Sequence, residues 1–189
     1  MRLGIDLDGV VADFNQGWID RYNQEFGTEL HNESVDSWDG LVAETHFRSM
    51  GDFWHWARDL GDGSIFRHLD AYPGAIETLE HLDSRGHDIV ILTSKPPWAV
   101  HETFAWIADQ AVPTHEVHIL DDKWTVACDV YLDDAPHILK GFRKHRPEAT
   151  ACRYVRPWND PLPGVVDVAT WEEFRDTVAR LERSWMPRD

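Results

Sequence analysis

The sequence contains little cysteine and little positive charge, and each shortage argues against a class of protein. Only two cysteines, Cys128 and Cys152, occur among 189 residues, both within apolar stretches. We therefore predict free, buried thiols and no disulfide framework. Lysine and arginine number 18 against 34 aspartates and glutamates, and no basic cluster occurs. This balance argues against polymeric nucleic acid as a partner, because phosphate backbones are bound by clustered positive charge.

Long apolar runs are also missing. No stretch approaches the roughly 20 residues that a membrane-spanning helix requires, and the residues after Met1 lack the basic and apolar regions of a signal peptide. We therefore expect a cytoplasmic protein without a membrane partner. The sequence does not fix the oligomeric state, and a homodimer remains open.

Short apolar runs alternate with amphipathic helices along most of the chain. Residues 88–93 form a near-continuous apolar run, which is typical of a parallel strand buried on both faces. Aromatic residues at every fourth position from Phe14 to Phe26 predict a helix that ends at Gly27. The other predicted strands are 3–7, 117–120, 130–132 and 149–155, and the other predicted helices are one from Pro73, 98–111 (with Val100, Phe104 and Ile107 facing the core), 136–145 and one from Trp171.

Residues 28–72 depart from this alternation. They contain short helical candidates such as 41–50 and no convincing strand. We therefore predict an α/β fold with a parallel sheet flanked by helices and a small helical cap inserted after the first strand. In this division, residues 1–14 and 73–189 form the core and residues 15–72 form the cap.

Aromatic residues are abundant, with ten tryptophans and eight phenylalanines. Most of them are expected to fill the core. Trp38, Trp54 and Trp56 lie in the predicted cap, where they either do the same or line a ligand pocket.

Polar residues follow the predicted strands at the edge where parallel sheets bind ligands. Because the carboxyl ends of parallel strands lie together, these side chains are expected to meet. Crowded carboxylates repel one another unless a cation neutralises them, and ligands that are all oxygen suit magnesium. A hydroxyl and an ammonium group then remain to hold a phosphate. The residues concerned are Asp6, Asp8, Thr93, Ser94, Lys123, Asp133 and Asp134.

Each of these residues also has a purely structural explanation. Asp8-Gly9 is a common turn, Thr93-Ser94 fits the end of a strand, and Asp133-Asp134 fits the cap of the following helix. Their joint occurrence, in order and at strand ends, favours a phosphate site with a metal over a set of unrelated structural roles.

The same residues resemble the four motifs of the haloacid dehalogenase (HAD) superfamily. Asp6-Leu-Asp-Gly-Val10, Thr93, Lys123 and Asp133-Asp134 match those motifs in order and setting. Within the superfamily, the chain is most similar to the cytosolic and mitochondrial 5′(3′)-deoxyribonucleotidases. The stretches that carry this similarity are 9–14, 73–75, 93–94 and 122–134, and the resemblance as a whole covers about the first 14 residues and residues 72–138. The segment Lys95-Pro-Pro-Trp98 departs from the pattern. The resemblance implies a HAD-like, Rossmann-like parallel sheet.

A magnesium-dependent phosphohydrolase is the activity that the resemblance implies. Asp6 would attack phosphorus to give an aspartyl-phosphate, and Asp8 would protonate the leaving oxygen and then take a proton from water. Magnesium would be bound by the carboxylates of Asp6 and Asp133 and by the backbone carbonyl of Asp8, with Asp134 alongside. The groups expected to hold the phosphate are Thr93, Ser94, Lys123 and the backbone amides near Leu7 and Gly9.

The implied substrate is a nucleoside monophosphate, in particular a deoxyribonucleotide. Phe14 either contacts the base, as the resemblance implies, or belongs only to the aromatic stripe of its helix. Two alternatives stay open: a phosphatase of the same fold that acts on another small phosphate ester, and a non-catalytic module that binds magnesium and a phosphorylated ligand.

Overall fold

A six-stranded parallel sheet forms the centre of the protein. The computed structural model describes residues 1–35 and 40–185. Its strands are β1 (Arg2–Ile5), β2 (Asp88–Thr93), β3 (Glu116–Ile119), β4 (Val130–Asp133), β5 (Thr150–Tyr154) and β6 (Val166–Val168). They lie in the order β3-β2-β1-β4-β5-β6, so the strand order reverses between the central strands β1 and β4. The predicted α/β fold with a parallel sheet is confirmed.

Helices cover both faces of the sheet. Successive residues of a strand point to opposite sides, so an apolar strand presents side chains that need covering on both faces. In β2, Ile89 and Ile91 belong to one buried cluster, whereas Val90 and Leu92 belong to a second. The helices are α1 (Phe14–Phe26), α2 (Met50–Arg58), α3 (Ala75–Ser84), α4 (Val100–Asp109), α5 (Pro136–His145) and α6 (Trp171–Trp185). The apolar side of α5 covers the face that contains Val90, and α3, α4 and α6 contribute to the cluster on the other face.

Between β1 and α3, the described residues form the helices α1 and α2, three short 3-10 turns, connecting loops and two isolated β-bridges, and no strand. The predicted helix from Phe14 is confirmed: the Asp13 carboxylate accepts a hydrogen bond from the Gln16 amide, 3.1 Å away, at its start. Gly27 ends the helix with a φ of 64°, a left-handed conformation that glycine adopts without strain.

Two local helix predictions are wrong. Residues 41–50 do not form a helix; a short 3-10 turn covers Gly40–Val42, and α2 begins at Met50 because the Ser49 hydroxyl accepts a hydrogen bond from the amide of Asp52. Phe104 does not face the core, since it is 47% exposed. The buried side of α4 is centred on Thr103, Trp106 and Ile107 instead.

The strand β6 is absent from the sequence-based prediction. It has three residues and follows a proline-rich loop, so it lacks the length from which a strand pattern can be recognised.

Two other predictions concern the chain as a whole. Cys128 and Cys152 are free and buried, as predicted. Within the described ranges, no helix is long and apolar enough to cross a membrane.

Candidate active site

The predicted site residues come together at the carboxyl ends of β1, β2 and β4. Asp6 directly follows β1, Thr93 ends β2 and Asp133 ends β4. The amide of Asp6 donates a hydrogen bond to the carbonyl oxygen of Leu132, 3.0 Å away, which ties the two central strand ends together. This is the point where the strand order reverses, and open parallel sheets bind their ligands in the crevice at such a point.

Three carboxylates form a buried acidic cluster. Oxygens of Asp6, Asp133 and Asp134 all lie within 4.8 Å of one another. Burial raises the pKa of Asp134 well above its ordinary value, and the neighbouring charges of Asp6 and Asp133 raise it further. A bound cation would oppose both effects on this pKa, because it favours the ionised form of the carboxylates around it.

Lys123 supplies positive charge to this cluster. It lies in a 3-10 turn after β3, and its Nζ is 2.8 Å from Asp6 Oδ2 and 2.7 Å from Asp133 Oδ2. Burial alone would lower the pKa of Lys123, but the facing carboxylates outweigh burial and raise this pKa above its ordinary value. Lys123 is therefore held as an ammonium ion between the two carboxylates.

The oxygens of Asp133 and Asp134 are occupied differently. Asp133 Oδ2 accepts from Lys123, and its Oδ1 accepts from the amide of Ala135 at 2.8 Å. Asp134 Oδ2 accepts from the indole of Trp158 at 2.8 Å, whereas its Oδ1 is buried and has no hydrogen-bond partner within the described ranges. The donor set fits a hard cation, and the Oδ1 of Asp134 is the oxygen of this pair that has no donor of its own among the described residues.

Asp8 is paired with a residue that the sequence analysis did not include in the site. The ammonium of Lys95 contacts Asp8 Oδ2 and lies 3.8 Å from the centre of the Phe66 ring, and the Lys95 side chain is only 2% exposed. Burial raises the pKa of Asp8 above its ordinary value, an effect that Lys95 opposes. Lys95 is the first residue of the segment that departs from the family pattern, and it directly follows Thr93-Ser94. This position is the one feature of the sequence that points to Lys95 as a site residue.

The groups predicted to hold a phosphate differ in their availability. Thr93 Oγ1 is buried without a hydrogen-bond partner in the described part of the chain. Ser94 Oγ donates to the carbonyl of Leu120 at 2.9 Å. The amide of Leu7 donates to Asp6 Oδ1 at 2.7 Å, and that of Gly9 donates to the carbonyl of Ala12 at 2.9 Å. Both amides are thus engaged within the protein, and their role toward a phosphate stays a prediction.

Gly9 is required by two features of the backbone turn that follows β1. Its φ of +74° is a conformation that side chains rarely allow. A Cβ atom at this position would also lie 2.2 Å from Asp134 Oδ2, inside the contact distance of the two atoms. The turn therefore approaches the acidic cluster more closely than any residue with a side chain would permit.

The acidic cluster opens into a cavity of about 430 Å³ that has an aromatic wall. Phe14 stacks on Phe66 with ring centroids 5.6 Å apart, and Trp54 stacks on Phe66 at 6.0 Å. All three line the cavity, so Trp54 belongs to a pocket wall, and the contact of Phe14 with a base stays a prediction. Trp56 does not line the cavity; its indole donates to Glu25 instead. Trp38 lies outside the described residues.

A loop after β5, outside the motifs that the sequence analysis collected, also contributes to the site. Trp158 lines the cavity beside Asp134, and Arg156 donates a hydrogen bond from Nε to the carbonyl of Gly9 at 2.7 Å. Residue type and spacing gave no sign of these contacts, because they join segments that are far apart in the sequence.

The chain is similar in sequence to known nucleotidases. The model of a family described as "5′ nucleotidase, deoxy (Pyrimidine), cytosolic type C protein" matches residues 1–183. The mitochondrial 5′(3′)-deoxyribonucleotidase of Homo sapiens is 25% identical over 145 residues, which are 73% of this chain and 64% of that protein. The 5′(3′)-deoxyribonucleotidase of Clostridium acetobutylicum is 25% identical over 148 residues, which are 76% of this chain and 78% of that protein.

The fold is also similar to a solved structure. A HAD family hydrolase from Deinococcus radiodurans, crystallised with bound phosphate and sodium, superposes with a TM-score of 0.63 and 16% sequence identity. The match covers 96% of each chain. At this identity the likeness concerns the fold alone, and it confirms the HAD-like fold that the sequence motifs predicted.

Proposed function

The chain belongs to the family of cytosolic type C 5′-nucleotidases and is a phosphoric monoester hydrolase, and from this premise we propose that it hydrolyses nucleoside monophosphates, deoxyribonucleotides in particular, with magnesium. One observation carries the proposal: the acidic cluster, through Asp6 and Asp134, and the aromatic wall line one cavity. The first suits a phosphate with a magnesium ion, and the second suits a planar base. The family description further supports the cytoplasm as the location of the enzyme.

The proposed reaction has two steps. A carboxylate oxygen of Asp6 attacks phosphorus while the ester bond to the leaving oxygen breaks, and Asp8 donates a proton to that oxygen. Water then attacks the aspartyl-phosphate, Asp8 takes a proton from this water, and inorganic phosphate leaves with the Asp6 carboxylate restored. The buried Thr93 hydroxyl would hold a phosphate oxygen, and Ser94 at the rim of the cavity would assist it.

Magnesium would be held by the carboxylates of Asp6 and Asp134 and by the backbone carbonyl of Asp8, with Asp133 alongside. The orphaned Oδ1 of Asp134 is the observation that supports this arrangement. When bound, the ion would offset the negative charge that builds up on the phosphoryl oxygens. Asp133 would act mainly through Lys123, whose ammonium it shares with Asp6.

The substrate's base would stack against the aromatic wall of Phe14, Trp54 and Phe66. Lys95 lies between this wall and Asp8, since its ammonium contacts both Phe66 and Asp8. A substrate with its phosphate at Asp6 and its base on the wall would therefore place its leaving oxygen near the pair of Asp8 and Lys95.

A phosphate-release screen tests the proposal. Ribo- and deoxyribonucleoside monophosphates are compared with a general panel of small phosphate esters, in magnesium, for the wild type, Asp6→Asn and the control Asp83→Asn. Asp83 is an exposed carboxylate on α3. We expect the deoxyribonucleotides to be hydrolysed best, Asp6→Asn to lose nearly all release and Asp83→Asn to retain it. Preferential hydrolysis of a phosphate ester without a base would instead make the enzyme a different phosphatase of the same fold.

A further inference from the structure

We propose that Trp158 is a positioning residue for Asp134, and that its indole sets the affinity of the site for a divalent cation. The inference rests on the proposed function insofar as Asp134 is taken to bind magnesium. It concerns a residue outside the four motifs, in the loop 156–159 after β5. Three features support it: the hold on Asp134, the contact with Gly9, and the anchoring of the loop itself.

The loop holds Asp134 at two points. The indole Nε1 of Trp158 donates to Asp134 Oδ2 at 2.8 Å, and the side-chain amide of Asn159 donates to the main-chain carbonyl of Asp134, also at 2.8 Å. One carboxylate oxygen is thus fixed by the indole. The other, Oδ1, is left buried with no partner in the parts of the chain that the structure describes, so it is the oxygen available to a cation.

The carboxylate of Asp134 is also confined on the side of Gly9. The position that a Cβ of Gly9 would take lies 2.2 Å from Asp134 Oδ2, so this oxygen packs directly against the glycine. Arg156, two residues before Trp158, donates from Nε to the carbonyl of Gly9 at 2.7 Å. The same loop therefore fixes both the carboxylate and the backbone turn that contains Asp8.

The loop is anchored firmly enough to do this. The guanidinium of Arg156 lies over the rings of Tyr72 and Tyr154, 3.8 and 4.2 Å from their centroids. The side-chain oxygen of Asn159 accepts from the amide of Arg156 at 3.0 Å and from Arg153 at 2.9 Å. These contacts order the loop before any ligand arrives, so little conformational entropy remains to be lost when a cation binds.

A hydrogen bond to a metal-binding carboxylate commonly changes metal affinity by about 10- to 100-fold. Trp158→Phe keeps an aromatic ring beside Asp134 but removes the N–H donor. The carboxylate of Asp134 then has no donor to fix it, and we expect the dissociation constant for Mg²⁺ to rise by about tenfold. Activity should recover at high magnesium, because the reacting groups themselves are unchanged.

The experiment titrates magnesium chloride into the full-length protein by isothermal calorimetry, without substrate. Trp56→Phe is the matched control, since the indole of Trp56 also donates to a carboxylate, that of Glu25 at 2.8 Å, but away from the cavity. Trp158→His retains an N–H donor and should bind magnesium more tightly than Trp158→Phe. This comparison keeps the test decisive if the aromatic substitution alone loosens the fold.

Three results would overturn the inference: an unchanged Mg²⁺ affinity in Trp158→Phe, an equal loss in Trp56→Phe, or equal affinities in Trp158→Phe and Trp158→His. Because the titration contains no substrate, its outcome is separate from the nucleotide screen. A chain that hydrolyses no nucleotide but loses Mg²⁺ affinity in Trp158→Phe would support the inference and contradict only the proposed substrate.

Discussion

Replacing Lys123 by methionine tests how the acidic cluster is stabilised when no metal is present. The Lys123 side chain is 3% exposed, and its ammonium contacts Asp6 at 2.8 Å and Asp133 at 2.7 Å. Methionine preserves most of the volume but leaves two buried carboxylates without a counter-charge. Removing one partner of a buried ion pair costs about 3–5 kcal/mol, a large part of the roughly 5–15 kcal/mol that stabilises an ordinary domain.

The double variant Lys123→Met/Asp133→Asn separates lost charge from lost packing. The introduced asparagine would carry no charge, and its side-chain oxygen could still accept from the amide of Ala135, as Asp133 Oδ1 does at 2.8 Å. If unpaired charge causes the loss, the double variant should recover more than half of it. Magnesium should also raise the free energy of unfolding of Lys123→Met more than that of the wild type, because the ion replaces the missing positive charge.

The measurement is urea unfolding at neutral pH, followed by circular dichroism, with a chelator and then with magnesium chloride. Lys140→Met, at an exposed position on α5, is the control and should stay within about 0.5 kcal/mol of the wild type. Unpaired charge is not the cause if Lys123→Met without metal unfolds within about 1 kcal/mol of the wild type, or if the double variant is no more stable than the single one.

Two further predictions concern Lys95 and Asp167. Lys95→Met removes the contact that fixes the carboxyl group of Asp8, the proposed acid for the leaving oxygen. The value of kcat/KM for a nucleotide should therefore fall at least about tenfold more than that for p-nitrophenyl phosphate, whose leaving group needs no proton, and equal losses would contradict this role. Asp167 accepts two hydrogen bonds from Arg153, both 2.8 Å, which lower the pKa of its carboxyl group. Its contribution to stability is therefore present above the unfolded pKa of about 3.9 and is lost as the pH falls through the lower folded pKa. The Asp167 side chain is 43% exposed, so Asp167→Asn should lower the free energy of unfolding by only about 1 kcal/mol at pH 7 and by almost nothing near pH 2. Urea unfolding at the two pH values measures this difference. An equal loss at both would refute the ion pair as the cause.

The elements that could be predicted from the sequence are those whose pattern is long and local. Residues 88–93 were predicted as a strand and form β2 with the same bounds, because an apolar run buried on both faces leaves a continuous signal. Residues 136–145 likewise match α5, where Pro136 occupies the first turn and suits it. The strand β6 escaped prediction because three residues are too few to show a period of two.

The sequence also predicted that the motif residues lie close together, since each follows a strand at the ligand-binding edge of the sheet. The residues that contact these motif residues in the structure were not predicted. Lys95 is 87 residues from Asp8, Trp158 is 24 from Asp134, and Arg156 is 147 from Gly9. Contacts over such separations are created by the packing of the sheet and leave no spacing in the sequence that could reveal them.

Adjacent residues in one motif can have different roles, as Asp133 and Asp134 illustrate. Both oxygens of Asp133 accept hydrogen bonds from the protein, from Lys123 and from the amide of Ala135. Asp134 keeps one oxygen without a partner in the described part of the chain, because only its Oδ2 is engaged, by Trp158. The two neighbouring carboxylates therefore differ in the oxygen that each leaves for a ligand, and the sequence Asp-Asp alone does not show this difference.

Among the described residues, several buried polar atoms of the site have no hydrogen-bond partner, and they indicate that the site binds a ligand. In the ranges that the structure describes, Asp8 Oδ1, Thr93 Oγ1 and Asp134 Oδ1 are buried without hydrogen-bond partners, and all three residues line the same cavity. Each such group costs about 1–3 kcal/mol while it stays unpaired. Three of them around one cavity would be a defect in a core that packing alone had shaped. They instead fit a site in which a bound ligand supplies the missing hydrogen bonds and counter-charge. Ligand binding would then remove the free-energy penalty that these unpaired atoms impose on the folded protein.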